Sequence, residues 1–101
     1  MATLIGSEKQ INWAASIREK MMVDVNEAKL EIASIVRAKG PEATAKMVTY
    51  FKANGPLTNE ALAAAQQDLL DNETSAAWWI DNRTKTLARL AAEKVVDGIL
   101  G

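Results

Sequence analysis

Cysteine and histidine are both absent from this chain of 101 residues. Without them no disulfide, zinc–thiolate centre or thiol nucleophile can form, and the commonest general base is missing. A hydrolase or metalloenzyme is not expected, and no cofactor is indicated. The five glycines are scattered, so there is no glycine-rich phosphate loop, and Gly55-Pro56 reads as a turn. No stretch approaches the ~18 apolar residues of a membrane span, and MATLIGSEKQ lacks the basic and apolar regions of an export signal. The expectation is a cytoplasmic protein with no membrane partner.

Cations are missing from the middle of the chain. Between Lys52 and Arg83 there is no lysine or arginine, while Glu60, Asp68, Asp71, Glu73 and Asp81 all fall in that interval. The net charge of −1 hides this pattern, because basic residues predominate on both sides. Two readings stand: solvated helix faces, or an acidic patch that meets a basic surface on a partner and speeds encounter.

What is present is helical. Apolar residues make up 49 % and charged residues 25 %, the balance of a globular domain, and at this length roughly 60–65 % of the unfolded surface can be buried. Ser7 and Gln10 have the spacing of a capping box, and Ile11, Ala14, Ile17, Met21 and Val25 follow as an apolar stripe. Asp24 and Glu27 repeat the capping spacing, which predicts a break near residues 24–26. A second stripe is Ala28, Ile32, Ile35 and Val36, ended by Gly40-Pro41. A third helix is predicted from about Pro41 to Asn54, burying Ala43, Met47, Val48 and Phe51 or Tyr50. Thr58 or Asn59 caps a fourth, with Leu57 and Leu62 placed as a hydrophobic staple and Leu62, Ala65, Leu69 and Leu70 inward. Residues 76–97 read as one long helix or two short ones, ended by Asp97-Gly98. No strand-like alternation occurs, so residues 1–101 are expected to form a single all-α domain, a compact bundle of four to six helices.

Helices 3 and 4 have the length of a helix-turn-helix, but NEALAAAQQDLL carries Glu60, Asp68 and no cation where a reading helix needs them. Nucleic-acid binding is expected to be at most weak and nonspecific, through the basic last helix. Asp68 and Asp71, at i and i+3 with Glu73 nearby, could hold magnesium or be plain solvated acids.

Three tryptophans remain, each set among polar residues. Treated as one continuous helix centred on Ile80, the last segment turns Ala76, Ala77, Leu87, Ala91 and Val95 inward. Trp78 then faces the opposite side with Lys85, Arg89 and Val96, and Trp79 lies on the flank one turn before Arg83, within reach of a cation–π contact. Trp78 is then either covered by another element, such as the N-terminal segment, or an exposed anchor rimmed by cations. Trp13 borders the first stripe, and the four methionines read as core filler. The partner-binding candidates are thus Trp78, Lys85 and Arg89, with the acids Asp68, Asp71 and Glu73.

GSEKQINWAASIR and SAAWWIDNR together resemble small proteins of bacteria, phages, prophages and other mobile elements that share a GSEKQ-x-x-W-A-x-x-I-R opening and a WWIDNR-like segment. The residues that carry the resemblance are Ser7, Gln10, Trp13, Ile17, Arg18, Trp78, Trp79, Asp81, Asn82 and Arg83. It implies a small stand-alone protein that binds and blocks a host protein or ribonucleoprotein complex, anti-CRISPR and other anti-defence inhibitors being the sharpest members of that class. The alternative from the residues is an accessory nucleic-acid-associated protein. A homodimer through the same tryptophan face is compatible with either.

Overall fold

Every helix but α3 begins where a side chain closes one of its first exposed N–H groups. The computed structural model describes residues 3–101, and among them it contains six helices and no strand: α1 (Glu8–Glu19), α2 (Val25–Lys39), α3 (Pro41–Asn54), α4 (Asn59–Asn72), α5 (Ala76–Asp81) and α6 (Leu87–Leu100). Ser7 and Gln10 form the reciprocal capping box, Gln10 N–H donating to Ser7 Oγ at 3.2 Å and Ser7 N–H to Gln10 Oε1 at 3.0 Å. Asp24, Thr58, Ser75 and Thr86 cap α2, α4, α5 and α6 one way only, each side chain accepting from the backbone N–H three residues on. Each such cap contributes about 1 kcal/mol. Gly40, at φ +99°, turns the chain from α2 directly into Pro41 at the start of α3.

The helices bury two apolar clusters side by side, in a molecule 46 × 25 × 20 Å across. The first joins α2, α3, the start of α4 and the later turns of α6 through Ile32, Ile35, Met47, Leu62 and Val96. The second joins Leu4, α1, the end of α4, α5 and the first turns of α6 through Ala14, Leu69, Trp79, Leu87 and Leu90. Helices α4 and α6 run through both, and α1 packs chiefly on α5.

The predicted stripe of α2 is buried at every position. Four expectations need correction. Val48 is exposed, and α3 buries only Ala43 and Met47 fully, with Tyr50 and Phe51 half-buried. Helix α6 continues through Gly98, because Ile99 and Leu100 pack on the first cluster and offset the roughly 1 kcal/mol that a mid-helix glycine costs. The single frame for residues 76–97 fails, since Asn82 ends α5 by donating its side-chain amide to the Trp78 carbonyl and Thr86 starts α6 anew. The two helices therefore have separate phases: Ala77 is exposed, Val95 is half-buried, and Val96 is fully buried instead of outward. Finally, Met22 is exposed and fills no core, while Met1 lies outside the described residues.

Before α1, Ile5 N–H donates to the Thr74 carbonyl at 2.7 Å and Ala76 N–H to the Ile5 carbonyl at 3.0 Å. This short parallel bridge carries Leu4 into the second cluster. Gly6 allows a close approach there, since a Cβ would lie 2.9 Å from Gln10 Oε1, the end of a flexible side chain, and 3.1 Å from Ala76 Cβ.

Candidate functional site

The two tryptophan-bearing segments, far apart in the chain, fold against each other. Trp79 is 0 % exposed, its ring edge-on to Trp78 and its indole N–H donating to the Glu73 carbonyl at 3.1 Å. Burial of the ring against α1 and α6 together with that bond makes Trp79 the anchor of the second cluster. Trp78 is half-buried at the edge of the same cluster. Arg83 does not pair with Trp79, although its spacing in the sequence allows that contact. Its guanidinium lies over Trp13, 5.2 Å from the ring centre, and one of its nitrogens donates to the Ile80 carbonyl at 2.8 Å. The sharp end of α5 turns Arg83 away from the core and toward α1.

Trp13 is 50 % exposed and opens one side of a groove of about 510 Å³. Helix α1 contributes Trp13, Ser16 and Ile17, and its C-cap Lys20 follows at i+7 from Trp13. The α1–α2 link supplies Met21, Met22 and Asp24, and α2 supplies Glu27. Arg83, Lys85, Thr86 and Leu87 complete the lining, with Arg83 against Trp13. Met22, 77 % exposed, and Val23 extend the apolar surface beyond the rim.

Gln66 holds this link in place. It is 0 % exposed, accepts from Asp24 N–H at 2.9 Å, and donates to the Asp24 and Leu62 carbonyls at 3.2 Å each. Asp24 in turn caps α2 through Glu27 N–H at 3.0 Å. Sequence reasoning passed over Gln66, yet a signal was there: it sits four residues after Leu62 and three before Leu69, on the buried stripe of α4.

The other candidates are dispersed. Lys85 bonds Glu93 at 2.9 Å, and Arg89 bonds Glu31 at 2.9 Å and Glu93 at 3.3 Å, a charged cluster that ties α6 to α2. The Arg89 guanidinium is held above its ordinary value chiefly by the Glu31 bond. Burial acts to raise the Glu93 carboxyl, but Lys85 and Arg89 together hold it below its usual range. Glu27 is raised, first by a hydrogen bond shared with Glu31. Trp78 is thus partly buried against the second cluster, while Lys85 and Arg89 are tied to carboxylates.

Asp68 and Asp71 are exposed on α4, accepting from the side-chain amides of Asn72 and Gln67, and Glu73 is half-buried with its carboxylate accepting from Ser75 N–H. Among the described residues no three carboxylates gather closely enough to hold a metal ion, and no helix is long and apolar enough to cross a membrane. Compared with known protein families, with curated proteins and with solved structures, the chain gives no match.

Proposed function

We propose that this chain is a non-catalytic binding protein that occupies a surface of a host protein or ribonucleoprotein complex through the groove lined by the stacked pair Trp13 and Arg83. The observation that carries the reading is a half-exposed tryptophan with an arginine fixed on its ring, set in a concavity whose rim is an exposed methionine. Tryptophan, methionine and arginine are the residue types enriched at interfaces, with tryptophan and arginine prominent among hot spots. The carboxylates of the groove favour binding over chemistry, since Asp24 serves as a helix cap and no histidine or cysteine stands beside it. The resemblance to mobile-element proteins makes an inhibitor or modulator of a host complex, such as an anti-CRISPR-like protein, the form of binding we favour.

Affinity capture from the native bacterium, with the wild-type chain and Trp13→Ala as parallel baits and nuclease added to half of each, tests this. A complex retained by wild type, lost with Trp13→Ala and resistant to nuclease is the expected result. Identical captures by both baits would exclude the groove, and nuclease-sensitive capture would favour nucleic-acid association.

A further inference from the structure

The binding reading leaves the chemistry of the occupant open, and the charges of the groove bear on it. Arg83 is anchored twice, by the Trp13 ring and by the Ile80 carbonyl. A guanidinium has five N–H donors in a rigid plane, and here that plane is set before any partner arrives. Among the described residues no carboxylate lies within salt-bridge distance of Arg83, whereas Arg89 is paired with both Glu31 and Glu93. Lys20 and Lys85 line the same groove. The site thus offers a pre-oriented cation, stacked on an aromatic face, with donors remaining for a planar anion.

Two further observations limit which anion fits. Asp24 and Glu27 line the same groove, and a polynucleotide would bring a phosphate charge with every residue, some of them against these acids. Ile17 and Met21, both partly exposed, are apolar surface that phosphates and sugars would not cover well but aliphatic side chains would. Resting on the binding reading, we infer that the groove takes an acidic, apolar peptide segment of the protein partner. One carboxylate of that segment pairs with Arg83 while adjacent large apolar side chains cover Trp13 and Met22.

The probe is a displayed library of random peptides, selected in parallel on the wild-type chain, Trp13→Ala and Arg83→Glu, with oligothymidylate titrated separately. Circular dichroism melts of both variants check that they are folded. Wild type is expected to enrich peptides that place Asp or Glu beside Leu, Met or Phe. Their affinity should fall about tenfold or more on Arg83→Glu, and a peptide with Lys in place of the key acid should recover it on that variant. Enrichment that Trp13→Ala abolishes but that selects Lys and Arg, or ignores Arg83→Glu, keeps the groove as a docking site and overturns the acidic occupant. Oligothymidylate binding tighter than the selected peptides also overturns it. No wild-type enrichment over Trp13→Ala removes the groove and the inference together.

Discussion

Arg83 stacks on Trp13, the first from the turn after α5 and the second from the middle of α1. The contact joins the two segments that make this sequence distinctive, and it depends on α5 ending after six residues so that Arg83 can turn outward. Around it the residues of these segments divide. Ser7, Gln10, Trp79 and Asn82 hold caps and core, while Trp13, Ile17 and Arg83 face the groove.

The three tryptophans should separate by stability and binding. Trp79→Ala removes the largest fully buried side chain and is expected to cost about 3–5 kcal/mol of folding stability. Trp13→Ala should cost about 1 kcal/mol or less, the worth of an exposed cation–π contact, yet about 2 kcal/mol or more of partner binding. Trp78→Ala, half-buried, should fall between them in stability. Chemical denaturation of all three variants and a binding titration with the captured partner give the order; equal destabilisation by Trp13→Ala and Trp79→Ala would contradict it.

Gln66→Leu tests the clamp on the α1–α2 link. The leucine keeps the volume but leaves the Asp24 N–H and carbonyl without their partner, at a cost of about 1–3 kcal/mol. Amide hydrogen exchange should quicken at Asp24 and in the first turn of α2 before it changes in α3. Uniform change across the helices would mean that Gln66 acts only through packing.

Gly6→Ala should loosen the N-terminal bridge. The new methyl group meets Gln10 Oε1 and Ala76 Cβ, so the capping box must open or the segment must lift from residues 74–76. A loss of about 1–2 kcal/mol is expected, similar to losing a helix cap with a little strain. Ser7→Ala is the comparison: if Gly6→Ala costs less than Ser7→Ala, the close approach to Ala76 is not limiting.

Acid should weaken the α2–α6 charge cluster. The Glu93 carboxyl is held below its ordinary 4.5, so its contribution is present above that value and is lost as pH falls through the lower, folded-state value. Glu27 is raised and runs the other way, its contribution being lost as pH rises through its folded-state value. Melting temperatures measured between about pH 3 and pH 6 should fall on acidification less steeply in Glu93→Gln than in wild type. At neutral pH the variant should lose about 1 kcal/mol or less, as partly exposed pairs do. Parallel pH profiles would show that Glu93 carries none of the acid sensitivity.

Local signals in the sequence determined the helices and most of their inner faces. Capping side chains at Ser7, Asp24 and Thr58 and the Gly40-Pro41 junction are short-range physics, satisfied by neighbours within a turn or two, while the α2 stripe is legible as a local periodicity and is buried by other helices. Tertiary packing decided the rest. Whether residues 76–97 form one helix or two depended on Asn82 and Thr86 competing for backbone bonds while Trp79 was held by Glu73, Leu69 and α1. That break reset the phase of every later residue, which is why Val96 is buried, Arg83 left Trp79 for Trp13, and Lys85 and Arg89 met Glu93 and Glu31. A helical wheel assumes one axis, and the groove exists because the chain uses two.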